Sequence, residues 1–176
     1  MYLTLGSNVE PGTYLPLAVR ELDALLGVEA VSHAYEAVPV GAPGTPVFLN
    51  AAVRIRTALA PGRLKREVIR PLEARLGRVR TGDPNAPRTI DIDIALVEDL
   101  VIVDPEAGLT LPDPEIPSRA HLALPLAELA PDLRPPGFGG SLRELAEHHR
   151  GADGVRRLEE PDLRRAARLA PLRERP

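Results

Sequence analysis

The run Pro87-Arg88-Thr89-Ile90-Asp91-Ile92-Asp93-Ile94-Ala95-Leu96-Val97 sets Ile90, Ile92, Ile94 and Leu96 against Asp91, Asp93, Ala95 and Val97. A period of two is that of a β-strand, so residues 89–97 read as a strand with a double acid on one face. Residues i and i+2 lie about 6.5 Å apart on the same face, and two ionised carboxylates there repel by roughly 2 to 3 kcal/mol at an effective dielectric of about 20. A divalent cation offsets that repulsion, and a hard ion such as magnesium takes one or two carboxylates together with substrate phosphates. An edge strand showing a solvated face gives the same pattern without a ligand.

The upstream flank bears on that choice. Between Arg70 and Arg88 stand five arginines (70, 75, 78, 80, 88) against Glu73 and Asp83, a local +3 in a chain whose net charge is −3. Arg70 and Arg75 read as solvating a helix. Arg78, Arg80 and Arg88 lie in or at the ends of a Gly- and Pro-containing loop, where planar guanidinium groups either clamp phosphate oxygens or face solvent. Cysteine is absent and Lys65 is the one lysine, far from any Gly-rich segment. A lysine-bearing phosphate loop is thereby excluded, and any phosphate work falls to arginine.

The remaining segments supply partners for the acidic strand. Residues 2–5 form a short apolar run stopped by Gly6-Ser7-Asn8, a turn or a phosphate nest. Leu15, Ala18, Leu22, Leu25 and Leu26 then mark a helix, with Pro16 in its first turn and Gly27 as its stop. Residues 31–38 read as a strand and 39–46 as a loop. Residues 47–57 alternate cleanly, Val47, Leu49, Ala51, Val53 and Ile55 against Phe48, Asn50, Ala52, Arg54 and Arg56. Pro61 opens a second helix with the stripe Leu64, Val68, Leu72 and Leu76, kinked at Pro71 and closed by Gly77. Glu98-Asp99 predicts a turn that folds 100–103 back as a hairpin, with a short strand at 109–111. Residues 118–129 read as helix broken at Pro125, and Ser141 with Glu144 as a capping box for 142–149. The order strand, helix, strand, strand, helix, strand predicts an α+β, ferredoxin-like fold with a mainly antiparallel sheet flanked by helices.

At 176 residues the chain allows one domain. Apolar residues make up 44% and aromatics only 3%, so the core is aliphatic. No apolar run approaches the roughly 18 residues that span a bilayer, and the opening residues lack the basic flank of a signal peptide. The reading is a soluble, cytoplasmic monomer with no membrane and no nucleic-acid partner; few aromatics are present for base stacking. Phe48 and Asn50 share a strand face and suit either core packing or a flat heteroaromatic ligand, held by stacking and an amide. His33, His121, His148 and His149 show no ligand spacing.

Together, Leu5-Gly6-Ser7-Asn8, Phe48-Leu49-Asn50-Ala51, Glu73 with Gly77-Arg78-Val79-Arg80, the acidic strand, and Arg119 with residues 125–131 resemble the 6-hydroxymethyl-7,8-dihydropterin pyrophosphokinase family. The pieces fall in family order across residues 1–158. Each is weak alone, and the joint match is specific. The resemblance implies transfer of diphosphate from ATP to a pterin alcohol, with Asp91 and Asp93 ligating two Mg²⁺ ions and Arg78 and Arg88 meeting the phosphates. It implies an ATP pocket that includes Glu73, Arg80, Arg88, Asp113 and Arg119, and a pterin slot of Val40, Gly41, Phe48, Asn50 and His121. A domain over 1–160 is expected, followed by a tail over 161–176 that either docks as a terminal helix or frays. Three positions depart from the family pattern: Asp113 stands for a histidine, His121 for an aromatic wall, and Pro84-Asn85 for an Arg-Trp pair. The alternatives are another magnesium-dependent nucleotidyl transferase on a ferredoxin-like sheet, or an inactive paralogue acting as a binding module.

Overall fold

A computed structural model describes residues 1–37, 46–80, 86–149, 151 and 154–168. The chain starts in β1 (Tyr2–Ser7), turns through α1 (Pro11–Leu26), and returns as β2 (Val28–Val31), β3 (Ala34–Ala37) and β4 (Phe48–Ile55). A second helical segment follows, made of α2 (Pro61–Leu64), a π turn (Lys65–Ile69) and α3 (Arg70–Arg75). It leads to β5 (Asp91–Leu96). β6 (Ile102–Asp104) and β7 (Leu109–Leu111) form a separate two-stranded sheet. A 3-10 turn (Ile116–Ser118), α4 (Ala120–Leu129), α5 (Leu142–Glu147), β8 (Val155–Leu158) and α6 (Leu163–Ala166) complete the described chain.

The main sheet runs β5-β1-β4-β3-β8, with β2 also on β4, and all its pairs are antiparallel. The predicted ferredoxin-like arrangement is therefore present, with the acidic strand beside β1. Alternation sends Leu3, Leu5, Leu49, Ala51, Val53, Ile55, Ile92 and Ile94 to one face, where they pack on α1 and the second helical segment. Tyr2 and Ala52 go to the other face, under Leu126 of α4 and Leu142 of α5, and Leu96 joins them against the expected alternation, because the pairing of β5 with β1 slips by one residue between Ile94 and Leu96. Helices thus cover both faces, but on the second face the hydrophobic cluster gathers at the Tyr2 end of β1. The Gly6 end carries the polar residues.

Several local expectations are corrected. The strand read at 31–38 is two strands broken at Ser32-His33, where the extra residue of a bulge is absorbed: Val31 faces Val53, yet Tyr35, four residues on, faces Asn50 only three residues back along β4. The Ser32 hydroxyl accepts the Ala52 N–H at 2.9 Å there. β1 continues through Ser7 rather than stopping at Leu5, and Pro16 falls in the second turn of α1 because the helix begins at Pro11. Residues 100–103 do not fold back on β5; Ile102–Asp104 pairs with Leu109–Leu111 instead.

The second helical segment does not simply kink at Pro71. Proline removes an N–H and its ring clashes with the carbonyl four residues back, and here the helix widens into the π turn one turn earlier. The inserted residue shifts the buried stripe from Val68 to Ile69, which is fully buried. α4 runs through Pro125 unbroken. A proline inside a helix costs about 3 kcal/mol, and burying Leu126 with Ala123 and Pro125 offsets a sum of that order. The Ser141–Glu144 capping box is present with both bonds. β8 was not foreseen. The tail docks through Leu163 and Ala167, both buried in the main core.

Candidate active site

Antiparallel register lines up a row across the second sheet face. Asp91 of β5 stands opposite Gly6 of β1, Gly6 opposite Asn50 of β4, and Asn50 opposite Tyr35 of β3. One step further along, Asp93 stands opposite Thr4 and Thr4 opposite Ala52. Asp91 and Asp93 therefore share a face, between the buried Ile90, Ile92 and Ile94. Gly6 leaves the space between Asp91 and Asn50 unfilled; a Cβ there would lie 3.2 Å from Asn50 Oδ1 and 3.9 Å from the Phe48 ring.

Each carboxylate is matched by cations. Asp91 meets Arg88 Nη1 at 2.5 Å and Arg78 Nη2 at 3.3 Å. The Arg88 guanidinium also lies over the Phe48 ring, 5.7 Å from its centroid, so one cation spans the acidic strand and an aromatic ring of β4. Its backbone is fixed independently. Arg88 N–H donates to Asn8 Oδ1 at 2.7 Å, and its carbonyl accepts from Asn8 and Val9 N–H at 3.1 and 3.2 Å.

Asp93 accepts from Lys65 Nζ at 3.1 Å. Lys65 is the site residue that sequence reasoning missed: its distance from any Gly-rich segment removed it from consideration, yet the π turn brings it to the acidic strand. Being the only lysine among 22 basic residues was the one available signal.

Behind this row Glu73 is 1% exposed, on the inward side of α3. It accepts the Ile92 N–H at 2.9 Å and an Arg80 N–H at 2.5 Å, locking the helix to β5 between the two aspartates. Burial raises the Glu73 carboxyl above the ordinary range, against the lowering effect of those two donors. The Asp113 N–H donates to the Ala95 carbonyl at 2.7 Å, which ties this residue to β5; burial raises its carboxyl, and the charge of Asp93 adds to the rise. Asn50 Nδ2 donates to the Tyr35 carbonyl at 3.5 Å, and Tyr35 Oη donates to Glu128 at 3.2 Å. Burial, then the Glu128 charge, pushes the Tyr35 hydroxyl up, so it remains a donor.

The predicted residues Asp91, Asp93, Arg78, Arg88, Phe48 and Asn50 thus gather at one end of one face, with Glu73 and its partner Arg80 bracing β5 from α3. Arg119 is the N-cap of α4 and donates to Glu115 at 3.2 Å. His121 lies in the first turn of α4 near Arg119, Glu115 and His149. Val40, Gly41, Pro84 and Asn85 lie outside the described residues.

Burial, then the neighbouring Arg119 charge, lowers the His121 pKa below its ordinary value of 6.5. A base with a depressed folded pKa contributes stability that is present above the unfolded value and is lost as pH falls through the folded one. Denaturant titrations between pH 7 and 5.5 should show the wild type losing more stability than His121→Phe. Equal losses would contradict a half-buried imidazole held neutral.

The donor set fits magnesium. Among the described residues no three His, Asp or Glu side chains converge to hold a metal on protein ligands alone. Two hard carboxylates beside arginines suit an ion that completes its shell with phosphate oxygens and water. Among the described residues Arg78 Nε and Asn8 Nδ2 are buried donors without a hydrogen-bond partner, further capacity for an anion at this place.

Residues 2–131 match the family described as 7,8-dihydro-6-hydroxymethylpterin-pyrophosphokinase. A 2-amino-4-hydroxy-6-hydroxymethyldihydropteridine pyrophosphokinase from Methylorubrum extorquens is 39% identical over 161 residues, covering 90% of this chain and 98% of that protein. The enzyme of the same name from Bacillus subtilis is 40% identical over 134 residues, with 73% and 76% coverage. Among solved structures, an HPPK-DHPS in complex with substrates superposes with a TM-score of 0.65 at 14% identity, over 89% of this chain and 47% of that one. The chain spans less than half of such two-part proteins, and that likeness concerns the fold. Among the described residues no helix is long and apolar enough to cross a membrane. By sequence match over three quarters of its length and by a shared sheet, the chain belongs to the 7,8-dihydro-6-hydroxymethylpterin-pyrophosphokinase family.

Proposed function

We propose that the chain transfers the β,γ-diphosphate of ATP to the hydroxymethyl oxygen of 6-hydroxymethyl-7,8-dihydropterin and releases AMP, a step of folate synthesis. The observation that carries the reading is the row Asp91, Gly6, Asn50 across three strands, with Arg88 joining Asp91 to the Phe48 ring. That row supports a reading in which a phosphate-metal site and a flat-ring site lie side by side.

In this reading Asp91 and Asp93 hold two magnesium ions. Bound there with ATP, magnesium would neutralise phosphate charge and make the β-phosphorus more electrophilic. Arg78 and Arg88 release part of their hold on Asp91 and take phosphate oxygens, in a forked geometry suited to them. Glu73 and Arg80 keep β5 in register, while Asp113 and Arg119 border the nucleotide. Phe48 stacks on the pterin and Asn50 bonds its ring edge, with Val40, Gly41 and His121 completing the slot. The hydroxymethyl oxygen attacks the β-phosphorus, the bond to the α-phosphate bridging oxygen breaks, and the hydroxyl proton passes to solvent. Most of the acceleration comes from alignment and charge stabilisation, with no strong protein base. Residues 1–160 form the transferase domain and 161–176 a C-terminal tail, whose Leu163 and Ala167 pack into the core, and the protein works as a cytoplasmic monomer.

The test is to supply ATP, magnesium and the pterin alcohol and to measure AMP. Pterin-dependent AMP is the expected product. Pyrophosphate release, or no turnover with either substrate bound, would refute the reading.

Gly6→Ala offers a finer check. The added methyl pushes on Asn50 Oδ1, so the Michaelis constant for the pterin should rise about tenfold, the equivalent of one lost hydrogen bond. That for ATP should change less. An unchanged pterin constant would remove Asn50 and Gly6 from the slot.

A further inference from the structure

We propose that Lys65 is the resident counter-ion of Asp93: it holds this carboxylate until a divalent cation arrives with the nucleotide, then turns its ammonium to a phosphate oxygen. The proposal rests on the reading of Asp93 as a magnesium ligand. Its consequence is that metal enters with nucleotide rather than ahead of it.

The placement of Lys65 is specific. It opens the π turn directly after Leu64, which is fully buried, while on the same segment Arg63 and Glu67 pair with each other and Arg66 faces Asp104 of β6 at 3.9 Å. The Lys65 side chain is 12% exposed, so its stem is packed and only its tip is polar. That tip has acceptors on two elements, Asp93 Oδ1 at 3.1 Å and the Gly108 carbonyl beside β7 at 3.2 Å. Among the described residues these satisfy two of its three N–H donors. A nearly buried ammonium is tolerated only when paired, which makes the Asp93 contact more than a surface encounter.

The two aspartates are held differently. Asp91 lies between two guanidinium groups and is the less exposed of the pair. Asp93 is 49% exposed and meets one flexible ammonium. A metal approaching Asp93 alone must displace that ammonium and leave it short of an acceptor. A metal approaching with a triphosphate brings replacement oxygens. The ammonium therefore weakens binding of free metal and strengthens binding of the metal-nucleotide complex. Because the lysine is a compact charge on a rotatable stem, it can change partners without moving the backbone.

The probe is Mn²⁺, titrated into the protein without nucleotide and followed by the electron paramagnetic resonance signal of the free ion. Lys65→Met, which keeps the stem, should bind Mn²⁺ about tenfold more tightly than wild type, and should bind a non-hydrolysable ATP analogue with magnesium about tenfold more weakly. A merely structural role for Lys65 would not raise metal affinity. Lys65→Gln serves if the methionine variant is unstable, and Lys65→Arg should restore the wild-type order of affinities in part. Mn²⁺ binding no tighter than wild type in the Met or Gln variant overturns the proposal. Asp93→Asn separates the two levels. If it removes Mn²⁺ binding while Lys65→Met leaves it unchanged, Lys65 is not the counter-ion and the metal reading stands; if it leaves Mn²⁺ binding intact, the metal reading fails and this proposal with it.

Discussion

Asp93→Ala is expected to lower kcat by roughly three orders of magnitude while the fold persists, the loss of several kcal/mol of charge stabilisation at the transferring phosphorus. β5 itself does not need this carboxylate to pair with β1 or to bury its apolar side. Its apolar side, Ile92 and Ile94, is buried on the opposite face, and its pairing with β1 is made by backbone groups. Lys65 loses one acceptor and keeps the Gly108 carbonyl. The melting temperature should therefore move by only a few degrees, as for changes outside the core. Measuring kcat together with thermal unfolding decides the matter. Activity near wild type in a folded Asp93→Ala protein would mean that the paired acids are a solvated face and nothing more.

Arg88→Ala should raise the barrier by about 3 kcal/mol, a loss near 10²-fold in kcat with a smaller change in the Michaelis constant for ATP. The asymmetry follows from the proposed role: charge on the transferring diphosphate grows toward the transition state, and a guanidinium aimed at it matters most there. The loop entry should survive, because Asn8 holds Arg88 through its backbone N–H and carbonyl, which alanine retains. Arg88→Lys keeps the charge but not the fork or the flat contact with Phe48, and should fall between the two. An equal rise in both Michaelis constants with kcat unchanged would place Arg88 in ground-state binding alone.

Much of the site was legible before any coordinates. Period two in 89–97 put Asp91 and Asp93 on one face, and in 47–57 it put Phe48 with Asn50, because strand geometry allows no other outcome once the apolar side is buried. The Gly- and Pro-rich punctuation separated the elements, and Ser141 with Glu144 marked a helix start through a local bond. Less legible were Ser32-His33 and Pro125. A bulge depends on which partner strand arrives, and a helical proline is tolerated only if the surrounding core holds it.

The local code, read three to four residues at a time, already contains the acidic strand, the guanidinium cluster and the ferredoxin-like order of elements. It does not contain Lys65 against Asp93, Glu73 beneath the Ile92 N–H, or Gly6 as the open space between Asp91 and Asn50. Those contacts join residues 28, 19 and more positions apart, and their geometry turns on one extra residue in a π turn and on interstrand register. Side-chain periodicity fixes direction within an element. Which element lies opposite is settled by long-range packing, where burying the shared apolar face selects one register from several that local preference leaves equal.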